Sequence, residues 1–281
     1  MKAYKLIIQS LAFLLLATVA ATAAELASAK VVGITGSVTK TSPDGQATQL
    51  TPGAILKEGD SLAVDQLSEA KLVFSNGSEV TVKERSNISL AKLHQEAFTG
   101  NQSYEQLQAD PSKSQTLLEL NYGSVDFNVK KLQSGSTFDI ATAMGTAAIR
   151  GTSGTVTILY NRVRNEFTLL VTNLDGVVDI NSTYVGSLIF GSGNTAATSF
   201  SSNVGRKIEN IPGGHTVILR VSAGDPDFRE VYNALLPFFP PSQPKPVITP
   251  TPPPGASGNE DDDLGIIVVS PEGPSSPPVP Q

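Results

Sequence analysis

The chain has 281 residues and no cysteine, and its 20 Lys and Arg against 26 Asp and Glu give a net charge of −6. The absence of cysteine excludes a disulfide scaffold, a lipid-modified cysteine anchor, a thiolate metal site and a cysteine nucleophile. An acidic chain also lacks the positive charge with which proteins attract nucleic acid or anionic lipid, so neither class of partner is expected.

The N-terminus, residues 1–24, predicts a secretory signal peptide. Lys2 and Lys5 precede a mostly apolar run at residues 6–19, and small residues with A-x-A spacing follow. This run is shorter than the about 20 residues that a membrane-spanning helix needs. A retained membrane anchor is the alternative. We therefore expect a protein exported to the periplasm or outside the cell, with no membrane span after signal cleavage.

The rest of the chain divides into a body, residues 30–239, and a tail, residues 240–281. Fourteen of the nineteen prolines lie from Pro237 onward, together with an acidic run at residues 260–263. This composition predicts a disordered, extended spacer. The apolar run at residues 264–269 is the exception, and it is either a stray apolar patch or a docking strand.

Period-two alternation of apolar residues dominates the body. Four clear rows are Ala70, Leu72, Phe74; Val125, Phe127, Val129; Phe167, Leu169, Val171; and Val217, Leu219, Val221. Because successive side chains of a strand point to opposite faces, each row predicts a strand with one buried face. The dipeptide Asn76-Gly77 predicts a hairpin turn in which both residues have positive φ. The pattern predicts an all-β fold, which is a sandwich, a barrel or a solenoid.

Two polar stretches and one helix interrupt this pattern. Residues 96–114 and 186–205 predict long loops that are either binding surfaces or disordered insertions. Near the end of the body, Asp225 is expected to cap a helix that Pro237 ends, and this helix would cover an open end or face of the sheet. Its apolar stripe consists of Phe228, Val231, Tyr232, Leu235 and Leu236.

No group of residues predicts catalysis, a cofactor or a metal ion. The two histidines, His94 and His215, lie far apart in the sequence and have no carboxylate motif beside them. Ser153 lacks the pair of flanking glycines of a nucleophile elbow, because Thr155 stands where the second is needed, and the strand-to-helix context of that motif is not present either. The acidic run at residues 261–263 lacks the spacing of a calcium loop. We therefore expect a non-enzymatic protein without catalytic, cofactor-binding or metal-binding residues.

Eight sequence blocks of the body resemble the FecR domain, an exported module named for the regulator of ferric-citrate signalling, and they occur in the order in which that domain has them. The block at residues 148–156 contains Arg150-Gly151-Thr152, which is similar to the Arg-Gly-Thr signature of that family. The other blocks are residues 32–38, 56–62, 70–82, 120–125, 136–142, 174–180 and 211–219. The resemblance covers about residues 31–221, and the order and spacing of the blocks carry it.

The resemblance implies an all-β, jelly-roll-like sandwich, or a form of it elongated toward a solenoid, with a non-enzymatic role in signal relay or binding. Signalling members hold a sigma factor with a cytoplasmic segment, and here only residues 1–5 precede the apolar run. We therefore expect a stand-alone binding or structural module of the cell envelope. Its partner, an envelope protein or a glycan, and its oligomeric state are not specified by the sequence. The alternative is a ligand-sensing or carbohydrate-binding module that uses the loops 96–114 and 186–205.

The motif Arg150-Gly151-Thr152 is expected to be structural. Gly151 would supply a backbone conformation that a Cβ obstructs, at a bend between strands, and Thr152 would restart the strand. Arg150 would tie carbonyls or a carboxylate across the bend, so that Arg150→Ala leaves a buried partner unpaired. The alternative is that the Arg150 guanidinium recognises an anionic ligand.

Overall fold

A computed structural model describes residues 27–99, 102–182, 187–191 and 206–238. The predicted signal peptide and the tail lie outside these residues. Among the described residues, no helix has the length and apolar character that crossing a bilayer would take. The described strands are β1 Ala29–Thr35, β2 Val38–Thr41, β3 Ala47–Gln49, β4 Ile55–Leu56, β5 Ser61–Val64, β6 Glu69–Phe74, β7 Glu79–Val82, β8 Ser86–Gln95, β9 Ser114–Asn128, β10 Thr137–Thr142, β11 Gly145–Arg150, β12 Ser153–Asn161, β13 Glu166–Asn173, β14 Val177–Ser182, β15 Ser187–Gly191, β16 Arg206–Pro212 and β17 His215–Ser222.

These strands form one mixed hydrogen-bonded network that folds into two sheets sharing β9. Sheet 1 has the order β4-β1-β6-β7-β9-β12-β13-β17-β15. Sheet 2 has the order β3-β2-β5-β8-β9-β10-β11-β14-β16. Strand β9 contributes its first half, up to Tyr122, to sheet 2 and its second half, from Gly123, to sheet 1. All pairings are antiparallel except that of β9 with β10.

The chain passes between the sheets at corners that lie at two opposite ends of the sandwich. At one end, which we call the helix end, the corners join β1 to β2, β5 to β6, β7 to β8 and the two halves of β9. At the other, the motif end, they join β11 to β12, β13 to β14 and β16 to β17. The arrangement places the sequence motif at residues 150–152 on a corner and not within a strand.

The predicted alternation describes the core between the sheets. Every residue of the four apolar rows is buried. The rings of Phe74 in sheet 1 and Phe138 in sheet 2 meet edge to face, with centroids 5.5 Å apart. Each such burial contributes about 1.5–3 kcal/mol. The prediction of an all-β fold with one C-terminal helix is confirmed for the described residues.

The predicted hairpin at Asn76-Gly77 is present between β6 and β7, but its turn type is different. Gly77 has φ of 82°, while Asn76 is not among the residues with positive φ. The N–H of Gly77 donates to the carbonyl of Phe74 at 2.8 Å. This is a type I turn closed by a left-handed glycine, the three-residue form of the hairpin connection. The Asn76 side chain is free to accept the N–H of Ser78 at 3.0 Å.

Helix α1, Phe228–Leu235, closes the helix end of the sandwich and continues into a 3-10 turn, Leu236–Phe238. Four residues of the predicted stripe are buried: Phe228, Val231, Tyr232 and Leu235. The Phe228 ring lies 5.2 Å from that of Phe167. The predicted cap is wrong, because Asp227 occupies the N-cap position and Asp225 instead accepts the N–H of Ser222 at 2.6 Å, in the turn before the helix.

Candidate functional site

Three corners lie side by side at the motif end, and together they form the candidate site, which we call the corner cluster. It consists of residues 150–153, 173–177 and 211–215. The strands that these corners join are neighbours within both sheets, since β11 pairs with β14, β14 with β16, β12 with β13, and β13 with β17. The sheet pairing therefore brings together three turns that are far apart in the sequence.

Thr152 is the buried polar centre of the corner cluster, with 2% of its surface exposed. Its Oγ1 lies 2.7 Å from Asn173 Oδ1 and 2.9 Å from Asp175 Oδ1, so its hydroxyl proton is shared between two acceptors of the second corner. Its carbonyl accepts the N–H of Val129 at 2.9 Å. Thr152 was expected to restart the strand. It lies before β12, whose first residue is Ser153, and joins corners instead.

Asp175 is the charged acceptor of the corner cluster. One carboxylate oxygen, Oδ1, accepts the backbone N–H of Ser153 at 2.6 Å and the Ser153 hydroxyl at 2.9 Å. These bonds, the backbone one first, and the bond from Thr152 hold the pKa of Asp175 below its ordinary value. Asp175 is therefore ionised at neutral pH and is a fixed anchor between two corners.

Asn173 connects the second corner to the third. Its side chain is fully buried. Its Nδ2 donates to the carbonyl of Ile211 at 2.7 Å and to that of Gly176 at 3.1 Å. Since its Oδ1 faces the Thr152 hydroxyl, Asn173 reaches all three corners. The sequence gives only a weak signal for this role, an Asn that ends an apolar row two residues before Asp175-Gly176.

Two glycines give the corners their shape. Gly151 and Gly176 both have φ of 64°, a left-handed conformation that glycine adopts without cost. A Cβ on Gly151 would meet the Cα of Lys131 at 3.4 Å, which is close but tolerable. A Cβ on Gly176 would lie 2.8 Å from the Cβ of Thr152, which is too close. Gly151 is therefore required for conformation, and Gly176 for conformation and space.

Arg150 differs from its two neighbours because it faces solvent. Its side chain is 70% exposed, and its Nη2 lies 3.4 Å from Asp179 Oδ2. Asp179 also accepts the N–H of Asn210 at 2.7 Å, so it keeps a partner without Arg150. The expectation of a carboxylate across the bend agrees with this geometry. The expectation of a buried partner left unpaired by Arg150→Ala does not.

Asp139 is the second carboxylate near Arg150. It pairs in register with Ala148 of β11, which in turn pairs with Asp179 of β14. Burial raises the pKa of Asp139 above its ordinary value, and the positive charge of Arg150 opposes that rise. Arg150 thus belongs to a charged group on the outer face of sheet 2, which sequence reasoning did not find because its members come from three strands.

The first predicted loop, residues 96–114, packs against the outer face of sheet 1 in its described part. Lys30 Nζ lies 2.6 Å from Glu105 Oε1, and this hydrogen bond is the largest cause that lowers the pKa of Glu105 to about 2. Leu107 is 6% exposed and covers Gly77, whose hypothetical Cβ would lie 2.7 Å from the Leu107 Cβ. The described part of this loop is thus largely attached to the sandwich.

The end of this loop is tied to the segment beside the corner cluster. Asp110 is 1% exposed, and its Oδ2 accepts the Ser114 hydroxyl at 2.8 Å. Its N–H donates to the carbonyl of Lys131 at 3.0 Å, and its carbonyl accepts from Gln133 Nε2 at 3.1 Å. Because Lys131 also borders Gly151, the loop and the motif share one neighbour.

The second predicted loop, residues 186–205, is in part a strand. Ser187–Gly191 forms β15, which pairs with β17 at the edge of sheet 1. The polar residues around the apolar triplet at residues 188–190 dominate the composition of this stretch, which is why the composition predicts a loop. The remaining residues of this stretch lie outside the described part of the chain.

The two histidines lie on different sheets. His94 is exposed on β8, and His215 begins β17 with its Nδ1 3.0 Å from the carbonyl of Gly213. Within the described residues, no three His, Cys, Asp or Glu side chains are close enough together to hold a metal ion.

Comparison with known proteins gives one match to a family model and two similar solved structures. Residues 60–178 match the family model for FecR protein. No curated protein matches the chain. Two crystal structures of a candidate anti-sigma factor from Parabacteroides distasonis ATCC 8503, at 2.50 and 1.65 Å resolution, are 15% identical in sequence, with a TM-score of 0.31. The similarity covers 58% of this chain and 59% of that protein, so this chain spans about three fifths of its length.

Proposed function

Because residues 60–178 match the FecR family model, we propose that the protein is an exported, non-catalytic module of the cell envelope that binds an envelope protein. The observation that carries the proposal is the division within the motif. Gly151 and Thr152 are used inside the corner cluster, whereas the side chain of Arg150 is 70% exposed. In this proposal Arg150 belongs to the binding surface.

The exposed side chain of Arg150 is suited to binding a protein partner. Arginine is enriched among the residues that dominate binding energy at interfaces. A guanidinium has five N–H donors, and one 3.4 Å contact with Asp179 leaves most of them for acceptors of a partner. The corner beneath Arg150 is held by buried hydrogen bonds, so little conformational entropy of the backbone is lost on binding.

The chemistry of the corner cluster favours binding over catalysis. Two of its hydroxyls lie beside a carboxylate, those of Thr152 and Ser153, and each is 2.9 Å from Asp175 Oδ1. The pKa of Asp175 is lowered, and a carboxylate with a lowered pKa is a weak general base. Thr152 and Asn173 are engaged by internal partners, so they contribute to stability and not to bond breaking.

Export is the part of the proposal that rests on residues 1–24. If the signal peptide is cleaved, the mature chain begins between Ala24 and Lys30 and is found outside the cytoplasm. N-terminal sequencing of the protein from fractionated cells measures this directly. Recovery of Met1 from a membrane fraction would instead indicate a retained anchor.

Binding is tested by photo-cross-linking of the tagged full-length chain in the envelope of its own cells. Wild type, Arg150→Ala and Arg229→Ala are compared, since Arg229 is also exposed but lies on α1 at the opposite end. We expect one discrete protein product that Arg150→Ala reduces about tenfold and Arg229→Ala leaves unchanged. Undiminished cross-linking of Arg150→Ala, or retention of glycan in place of a protein, would contradict the proposal.

A further inference from the structure

The tip of the β12–β13 hairpin is an exposed basic and apolar surface at the helix end. Arg162, Val163 and Arg164 are all exposed, and Val163 is 96% exposed. Neither arginine forms an ion pair within the described part of the chain. The three consecutive side chains therefore form one exposed surface with two unpaired positive charges around an apolar centre.

Hydrogen bonds hold the backbone of this tip in one conformation. Asn161 Oδ1 accepts the N–H of Val163 at 3.0 Å and that of Arg164 at 3.2 Å. The carbonyl of Asn165 accepts the N–H of Ala223 at 3.1 Å, which connects the tip to the segment leading into α1. The three side chains are thus presented from an ordered turn, which lowers the entropy that a partner must overcome.

We propose that this tip binds the chain's own segment at residues 260–269, in the same molecule or in a second copy. That segment reads Glu-Asp-Asp-Asp followed by Leu-Gly-Ile-Ile-Val-Val, so its first four residues are acidic and the next six are uncharged and mostly apolar. Its charge complements the two arginines of the tip, and its apolar half complements Val163. The proposal concerns the end of the sandwich opposite to Arg150 and does not depend on the proposed function.

The origin of the tail makes this contact accessible. The described chain ends at Phe238, directly after α1, and α1 covers the same end of the sandwich as the tip. Helix α1 has eight residues and is about 12 Å long. Twenty-one residues separate Phe238 from Glu260 and can span up to about 70 Å. A tether of this length gives the segment an effective concentration of about a millimolar at the tip, so even a weak contact would be populated.

The neighbouring charges restrict the docking surface to the tip itself. Asp225, Asp227 and Glu230 lie in and before the first turn of α1, where an acidic segment would be repelled. Arg220 is already engaged with Glu166, at 3.5 Å. Arg229 is exposed too, but it is next to Glu230 in the first turn of α1. The favourable region for an acidic segment therefore consists of Arg162 and Arg164.

A spin label in the tail tests the proposal in the full mature chain. Because the chain has no cysteine, Ser270→Cys gives a single labelling site next to the segment. We expect paramagnetic broadening of the amide signals of residues 161–165. Charge reversal with Arg162→Glu and Arg164→Glu should reduce the docked population about two- to thirtyfold, and Asp261→Lys with Asp262→Lys should restore part of it. Arg229→Glu, on the outer side of α1, is the matched control and should change nothing.

Three outcomes would overturn the proposal. They are no broadening at the tip at low salt, broadening that charge reversal leaves unchanged, and binding of phosphatidylglycerol vesicles through the two arginines without broadening by the tail. A mixture of labelled chain and isotope-enriched unlabelled chain separates docking within one molecule from docking between two copies. Either of those two results supports the contact.

Discussion

At the scale of single residues, Thr152 has the largest expected effect in the motif, since its hydroxyl serves two acceptors where little water can replace it. Thr152→Val keeps the shape and removes the donor. We expect the free energy of unfolding to fall by about 1–3 kcal/mol, because Asn173 and Asp175 lose a partner. Thr152→Ser keeps the hydroxyl and is the matched control in urea unfolding. Equal stability of Thr152→Val and wild type would show that the hydrogen bonds contribute nothing.

The glycines of the corners differ in what a methyl group would cost. Gly214 has φ of 78° and nothing within 4 Å of a hypothetical Cβ, so Gly214→Ala reports backbone strain alone, about 1–2 kcal/mol. Gly176→Ala adds a contact of 2.8 Å with the Cβ of Thr152, and we expect this overpacking to cost a further ~1–3 kcal/mol. Gly151→Ala should resemble Gly214→Ala. Unfolding midpoints in urea rank the three, and Gly176→Ala as the mildest variant would contradict the geometry.

The raised pKa of Asp139 predicts a stabilising substitution. The folded state holds the proton of Asp139 more tightly than the unfolded state, whose value is near 3.8. Stability is therefore lost as the pH rises from 3.8 through the higher folded pKa. Asp139→Asn should raise the melting temperature at neutral pH and leave it unchanged once both states are protonated. In an Arg150→Ala background the gain at neutral pH should be larger, because the charge that opposes the raised pKa is gone.

Melting temperatures between about pH 3 and pH 8 test this linkage. A gain from Asp139→Asn that does not vary with pH would show that packing, and not ionisation, is responsible.

At the scale of elements, the loop at residues 96–114 depends on its apolar contact more than on its ion pair. Leu107→Ala removes the side chain that covers Gly77 and should cost about 2 kcal/mol, with faster proteolysis within the loop. Glu105→Gln removes an exposed pair with Lys30 and should cost below about 1 kcal/mol. The pKa of Glu105 is lowered to about 2, so the contribution of this pair is lost as the pH falls from 4.5 through 2. Equal proteolysis of both variants would contradict this ranking.

The elements that local pattern specifies were predicted well. The four apolar rows became buried strand faces, because period-two alternation is a property of the strand itself. The stripe of α1 was predicted for the same reason at helical spacing. The predicted type of the turn at Asn76-Gly77 and the predicted cap of α1 were wrong. The Asn76 side chain accepts the N–H of Ser78, and the Asp225 side chain accepts the N–H of Ser222, which the sequence pattern alone does not specify.

The corner cluster could not be predicted from the sequence, because it depends on which strands become neighbours. Thr152, Asn173 and the carbonyl of Ile211 are separated by 21 and 38 residues. They come together because the strands that the corners join pair in both sheets, β11 with β14 and β14 with β16 in one, and β12 with β13 and β13 with β17 in the other. The burial of Asp110 and Asp139 is equally a result of packing. The exposure of Arg150 follows from its place at the outer face of a corner.

At the scale of the whole molecule, the sandwich separates its two proposed surfaces. The FecR match at residues 60–178 includes the motif and β9 to β13, whereas α1 and the origin of the tail lie beyond it. Arg150 lies at one end of the sandwich, and the tip at residues 162–164 lies at the other. Loss of one surface should therefore leave the other unaffected.

The most direct test of the account measures the unfolding free energy and the envelope cross-linking of Arg150→Ala and Thr152→Val together. We predict that Arg150→Ala keeps its stability within about 0.5 kcal/mol and loses the cross-linked product. Thr152→Val should lose about 1–3 kcal/mol of stability and keep the product. An Arg150→Ala variant that is as destabilised as Thr152→Val, or that cross-links as well as wild type, would contradict the division of the motif into a structural and a binding part.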